Sequence, residues 1–468
     1  MISPVDAWVA ARTGLAGELS MEALARWQMA RVRKVVAYAQ ERSRFYGTRL
    51  AGIDPRSLTS PADLARLPFT WPAEIARGAW YFLCVPPTEV TRVTTQLTSG
   101  STGERKRVFF TGGDLERTID FFAHGMSTLA EAGTDTLIHM SDQTEYSIGR
   151  LLQAGLARIG GTSRIGCPDW DALQALAAAR SADCLVGIPA QIMAMCRTDR
   201  DLRPGNVLLS ADYVPQPVIA GIEETWHCRV FTHYGMTETG FGGAVQCGVR
   251  SGHHLRAADL LVEIVDPRTG ERLAPGEWGE IVITTLRNEA MPLVRYRTGD
   301  LSRLLVAPCG CGGVLPRLDR VLGRAENEIP LRGGESLSIH RLDEVMFAFP
   351  AVRGYTAELL RENGREVLRL TVAAGRALAP AEVSARLPGG LEVELRYGAV
   401  SPFPMREKRR IRVVPLPPGE STPRGEERLL LPLPGPATAS SATAAFRASA
   451  WPGPRPGDPA GPNGPGPA

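Results

Sequence analysis

The feature that most restricts the fold is an alternation. Between about residues 88 and 325, short apolar runs of β-like composition take turns with stretches of helical periodicity. The runs are TLIHM, CLVGI, NVLLS and RVFTHYG, at 136–140, 184–188, 206–210 and 229–235. Such alternation predicts an α/β domain with a largely parallel sheet. Residues 260–306 then give one strand-like segment after another: DLLVEIVD, GEIVITTL, LVRYR and LSRLL, with turn signals such as DPRTGERLAPGEWG among them. They predict a β-rich subdomain appended to the α/β core. Upstream, Leu24, Trp27, Met29, Val32, Val35 and Val36 recur at helical spacing, so 21–50 reads as an amphipathic helix. The stretch DPRSLTSPADLARLPF reads as loops around one short helix.

Downstream, 326–417 alternates again through EVMFAF, VLRLTVAA, LEVELRYG and IRVVPL, and predicts a small α+β lid. Beyond 418 the chain turns to Pro, Gly, Ala and Ser (LPLPGPATASSATAAF, WPGPRPGDPAGPNGPGPA). Such a tail cannot bury enough apolar surface to offset its ordering entropy, and disorder is expected. The expected domains are therefore 1–325, 326–417 and a tail, 418–468. There is no internal repeat.

With 468 residues, 44% hydrophobic and 22% charged, the chain has material for two or three domains with a real core. A net charge of +3, with arginines scattered, leaves no polybasic footprint for nucleic acid. MISPVDAWVAARTG lacks the charged and apolar regions of a signal peptide, and no apolar run approaches the roughly 18 residues of a membrane span. Cys84, Cys184, Cys196 and Cys228 sit inside apolar runs, as in a reducing compartment. The expectation is a cytoplasmic protein without nucleic-acid or membrane partners.

The strongest local signal is Thr98-Ser99-Gly100-Ser101-Thr102-Gly103-Glu104-Arg105-Lys106. Its glycines let backbone approach an anion, its hydroxyls supply short donors and Lys106 adds a point charge, which together suit a triphosphate. The spacing is not that of a Walker A loop. The plain alternative is a Ser/Gly surface loop.

Three further segments follow in order: Tyr234-Gly235-Met236-Thr237-Glu238-Thr239, Tyr296-Arg297-Thr298-Gly299-Asp300 and Leu322-Gly323-Arg324-Ala325-Glu326. The set resembles the adenylate-forming superfamily of acyl-CoA synthetases, peptide-synthetase adenylation domains and luciferases. It is most similar to the phenylacetate-CoA ligase branch, through ARLPFTWPAEI, CVPPTEVTRVTTQLTSGSTG, GEIVITTLRNEAMPLVRYRTGDLSRL and CGCGG, over about residues 20–415. The resemblance implies ATP-dependent activation of a carboxylic acid, aromatic or arylacetic by default. The acyl-AMP would then pass its acyl group to coenzyme A. It implies that Tyr234 stacks on adenine, with Gly235 and Met236 beside the nucleotide. Thr237 would bond the α-phosphate, Glu238 hold Mg²⁺, and Asp300 and Arg324 hold the ribose. Lys408, in MREKRR, matches the catalytic lysine of the lid and would neutralise charge between carboxylate and α-phosphate. A Gly usually precedes that lysine, whereas Glu407 does here, and Arg409 and Arg410 adjoin it. Glu326 stands at the hinge. Leu331-Arg332-Gly333-Gly334-Glu335 departs from the branch pattern, on the lid face used by coenzyme A. Taken singly, each residue has a plainer reading as core, cap, turn or solvated charge.

Some members of the resembled branch bind zinc, and the resemblance points to Cys247, His254, Cys309 and Cys311 as a structural site; the plain alternative is free thiols beside a turn. It also points to Tyr146, Ala211, Asp212 and Gly235 as lining the acid pocket. Asp142, Glu145 and Asp212 make that neighbourhood polar, which allows a hydroxylated or amino-bearing acid. His139 and His233 read as gates near the nucleotide or as buried, hydrogen-bonded histidines. Two other functions compete: transfer to a different acceptor (a deazaflavin hydroxyl, an amine or a carrier protein), and nucleotide binding without catalysis. A homodimer is compatible with all three.

Overall fold

The computed structural model describes residues 2–97, 105–140, 144–166, 170–324, 328–362, 365–400 and 409–414. Outside them lie the loop Thr98–Gly103, Asp142, Glu326, Lys408 and the tail. The chain divides into two compact units that meet in sequence between Asn327 and Glu328.

The N-terminal unit begins with helices α1 (Pro4–Thr13), α2 (Met21–Arg42) and α3 (Arg44–Arg49). The single helix expected over 21–50 is thus two. Ser43 adopts an extended backbone, and its hydroxyl accepts from the Tyr46 amide at 3.2 Å, so it restarts the helix in a new direction. After α4 (Pro72–Gly78) come the antiparallel strands β1 (Arg92–Leu97) and β2 (Arg105–Phe110). The alternating region follows as α5 (Gly112–Met126), β3 (Asp135–His139), α6 (Ile148–Arg158), β4 (Thr162–Ile165), α7 (Ala172–Ala179), β5 (Cys184–Gly187), α8 (Pro189–Thr198), β6 (Asn206–Leu209), α9 (Gln216–Trp226) and β7 (Arg229–Tyr234).

All four apolar runs are strands. β4, β3, β5, β6 and β7 lie in that order and all parallel, and β8 (Ala244–Gln246), β9 (His253–Leu255) and β13 (Arg317–Leu318) extend the sheet antiparallel from β7. Strands β10 (Leu260–Val265), β11 (Gly279–Thr285) and β12 (Tyr296–Ser302) form the expected β-rich sheet. LVRYR and LSRLL, however, are not two strands. β12 runs through the RTGD turn signal, which forms a bulge: Arg297 pairs with Val282 and Leu301 with Glu280, so that three residues of β12 lie opposite the single Ile281. Gly299, at φ +76°, takes the kink. One core joins these layers, with Trp8, Val36, Phe110, Phe121, Val186, Phe231, Ile283 and Tyr296 all buried in it. No helix among the described residues is long and apolar enough to cross a membrane.

The C-terminal unit pairs β14 (Ile329–Pro330) with β15 (Ser336–Leu337), then adds α10 (Ile339–Phe347), β16 (Val352–Glu362), β17 (Arg365–Ala374), α11 (Pro380–Ser384), β18 (Glu392–Tyr397) and β19 (Ile411–Val414). Its sheet has the order β18-β17-β16-β19. EVMFAF lies mainly on α10, because the Ser338 hydroxyl caps a helix at the Arg341 amide and Leu342, Met346 and Phe347 make one buried face.

Candidate active site

The C-terminal end of β7 makes the first part of the site. Gly235 follows the strand, and a Cβ there would stand 2.2 Å from the Phe241 carbonyl oxygen, so no other residue fits without moving backbone. Thr237–Thr239 then form one tight helical turn, closed by Gly240 at φ +68°. The turn carries Thr237 and Glu238 inward, 4% and 2% exposed.

Two other strands meet it. β2 supplies Lys106, whose ammonium pairs with Glu238 Oε1. β12 supplies Tyr296, whose hydroxyl donates to the same oxygen at 2.7 Å and lies 3.1 Å from Lys106 Nζ. Burial pushes the Glu238 carboxyl up, but the Lys106 charge and the hydrogen bonds from Lys106 and Tyr296 outweigh it and hold the group below the usual carboxylate range. Tyr296 is pushed well above its ordinary value by burial and by Glu238. The result is a buried carboxylate, ionised and fixed in place, beside one ammonium.

The bulge of β12 presents Asp300. Its Oδ2 accepts from the Tyr234 hydroxyl at 3.0 Å and its Oδ1 from Arg324 Nε at 2.9 Å. The bulge is held by Glu280, which accepts from the Gly299 amide at 3.0 Å and pairs with Arg297. Lys106, Tyr234, Glu238, Asp300 and Arg324, far apart in sequence, thus lie in two hydrogen-bond clusters, each with a member on β12. Tyr296, within a recognised motif but without a role there, is the tie that sequence missed.

Cys247, His254, Cys309 and Cys311 are all buried, with donor atoms within 4.8 Å of one another. Cys247 and Cys309 sulfurs are 3.6 Å apart, and Cys311 Sγ is 3.7 Å from His254 Nε2. Zinc bonds of about 2.0–2.3 Å at tetrahedral angles give ligand separations of about 3.5–3.8 Å, so these two edges fit. None of the described cysteines is in a disulfide. Asp6, on α1, was not foreseen. Its Oδ2 lies 2.8 Å from His254 Nδ1, and its Oδ1 accepts from the amides of Val314 and Leu315 at 2.6 and 3.1 Å. The carboxylate therefore faces the ring nitrogen on the side away from Cys311 and ties down the loop that follows Cys311, and a carboxylate behind a histidine ligand is common around bound zinc.

An apolar cavity adjoins the strand ends β5, β6 and β7, lined by residues of α5 and α6 and by Met140, Leu208, Ser210, His233 and Val245. Tyr146, Ala211, Asp212 and Gly235 are not among its lining residues. Of the acidic residues expected near the acid, Glu145 is exposed and Asp212 accepts from the Tyr213 amide at 2.9 Å; Asp142 is outside the described residues. Burial lowers both His139 and His233 to about 4, leaving neutral imidazoles. In the C-terminal unit Arg409 pairs with Asp343 and covers the Tyr355 ring at 4.4 Å, whereas Arg410 is exposed.

The sequence and the fold match known proteins. A family profile described as AMP-binding enzyme matches residues 57–287. Among solved structures, 2-hydroxyisobutyryl-CoA ligase in its postadenylation state, in complex with R3-HIB-AMP, has a TM-score of 0.72 at 20% identity, over 85% of this chain and 90% of that one. The fold is the adenylate-forming one. In sequence, the phenylacetate-coenzyme A ligase of Thermus thermophilus is 30% identical over 366 residues, 74% of this chain and 80% of its own length. That of Pseudomonas putida is 29% identical over 333 residues, 67% and 73% of the two chains. The chain belongs to the phenylacetate-coenzyme A ligase family. It is an AMP-forming acid:coenzyme A ligase, which makes an acyl-AMP from ATP and a carboxylic acid and then transfers the acyl group to coenzyme A.

Proposed function

We propose that the acid is aromatic or arylacetic and occupies the cavity beside β5, β6 and β7. The observation that carries this reading is the lining: flat or flexible apolar side chains, Phe121, Phe122, Met126 and Met140 among them, with very few polar groups. The names of the sequence relatives agree with it.

The site residues take roles to match. Lys106, Thr237 and Glu238, with the loop Thr98–Gly103, surround the phosphates, and Mg²⁺ bound at Glu238 would neutralise them, since a buried ionised carboxylate suits that hard cation. Tyr234, Gly235 and Met236 flank the base, and Asp300 with Arg324 receives the ribose hydroxyls. Lys106 and Glu238 are paired in the free protein, so nucleotide has to part them: the ammonium turns to phosphate and the carboxylate is released. Lys408 supplies positive charge where carboxylate attacks α-phosphate. Arg409 is already committed to Asp343, which favours Lys408 over its neighbour for that task. The Cys247, His254, Cys309 and Cys311 set holds a structural zinc, all four positions being filled by protein. Residues 1–325 act as the nucleotide-binding domain and 326–417 as the lid.

The test is pyrophosphate release from Mg·ATP with a panel of aryl and arylacetic acids, with and without coenzyme A. Acid-dependent release that becomes multiple-turnover with coenzyme A is expected. Turnover confined to aliphatic acids would overturn the aromatic reading, and release of one equivalent regardless of thiol would point to another acceptor.

A further inference from the structure

We infer that the acyl cavity reads a hydrogen-bond donor on its substrate through Ser210 acting with His233, so that hydroxy- or amino-substituted aromatic acids are preferred over unsubstituted ones. This rests on the assignment of the cavity to the acyl group. Ser210 and His233 are the polar side chains in a lining that is otherwise apolar. They come from neighbouring parallel strands, Ser210 just after β6 and His233 within β7, and the Ser210 hydroxyl meets His233 Nε2.

Three observations give the pair a direction. Two polar groups in an apolar wall cost desolvation that a Leu and a Met would not, so their presence needs a use. With its proton on Nδ1, a neutral imidazole offers Nε2 to the Ser210 hydroxyl as a bare acceptor, and that is the tautomer the inference takes. Nε2 is then the acceptor, the Ser210 hydroxyl donates to it, and the lone pairs of Ser210 Oγ remain to accept from a ligand. Finally, Ala211, directly after Ser210, is held at φ +68°, a conformation that a residue with a Cβ resists. The chain is strained at the point that sets the hydroxyl in place. A phenolic hydroxyl or aromatic amine meets the resulting acceptor, whereas a methyl group of the same size does not.

The experiment compares kcat/KM for pyrophosphate release with arylacetic acids bearing hydroxyl, amino or methyl at each ring position. At one position hydroxyl and amino should exceed methyl by about 3- to 10-fold, the worth of one neutral hydrogen bond. Ser210→Ala should bring that ratio to near one, and Ser210→Thr, which keeps the hydroxyl, should restore it. Thermal unfolding of both variants shows whether the fold is kept. Turnover of the panel without such a preference in the wild type, or a preference that survives in Ser210→Ala, overturns the inference and leaves the ligase reading intact. A panel in which no aromatic acid turns over overturns the inference together with the aromatic assignment.

Discussion

Single residues carry most of the chemistry, and two of them can be changed with clear expectations. Glu238→Gln leaves Lys106 buried beside Tyr296 without its counter-charge. Breaking one half of a buried ion pair costs about 3–5 kcal/mol. Urea unfolding without nucleotide should show a loss of that order, and pyrophosphate release should fall by about a hundredfold or more. A variant with full stability would mean that the pair is hydrated and the site more open than described. Asp6→Asn keeps the shape at the Cys and His cluster but weakens the hold on His254. Loss of an outer-shell partner lowers metal affinity by about 10–100-fold, readable by competition with a chromophoric chelator. Equal zinc retention in both proteins would remove Asp6 from the metal's support. Neither Tyr296 nor Asp6 could be picked out of the sequence as a partner. Tyr296 sits in a motif that is explained by its aspartate, and Asp6 is separated from Val314 by 308 positions, so no local pattern links them.

At the scale of elements, the sequence was most legible where burial and connectivity leave little choice. Each of the runs around Leu137, Leu185, Leu208 and Phe231 became a strand of the parallel sheet, because an apolar run between helices has nowhere else to be buried. It was least legible where a turn signal had two meanings. Thr298-Gly299-Asp300 marked a break between strands, but Glu280 reaches across to the Gly299 amide and folds the signal into a bulge inside one strand. The helix over EVMFAF was obscured in the same way, since a short run cannot separate the two periods. Neighbours in sequence do not share a direction: Glu145 is exposed while Ser210, one position before Ala211, lines the cavity. The turn after β7 gives the prediction at this scale. Gly235→Ala places a methyl against the Phe241 carbonyl. The turn bearing Thr237 and Glu238 must shift, so kcat for adenylation should drop by at least about tenfold, since small misplacements of catalytic groups are costly. Unchanged kcat would show that the turn is free to relax.

For the whole molecule, pH is the informative variable. His139 and His233 titrate near 4 when folded, because burial disfavours their charged forms. Unfolding frees them to bind protons near 6.5. The unfolded state therefore holds more protons between those values, and stability must fall as pH is lowered through that window. Each histidine should cost about 2 kcal/mol at pH 5 relative to pH 7. Urea midpoints measured at the two values should differ accordingly, and His139→Asn should shrink the difference. A pH-independent midpoint would mean that both rings are solvated.

The reach of Asp6 also sets an order of events during synthesis. Asp6 is made 308 residues ahead of Val314, whose backbone amide, with that of Leu315, donates to its carboxylate. At about 5–20 residues per second, that is a wait of about 15–60 s. Trp8 meets Phe121 and Asp120 of α5 much sooner, so the helix can be placed before the segment that Asp6 ties down is made. The cysteine and histidine cluster is thus closed by a carboxylate made long before it.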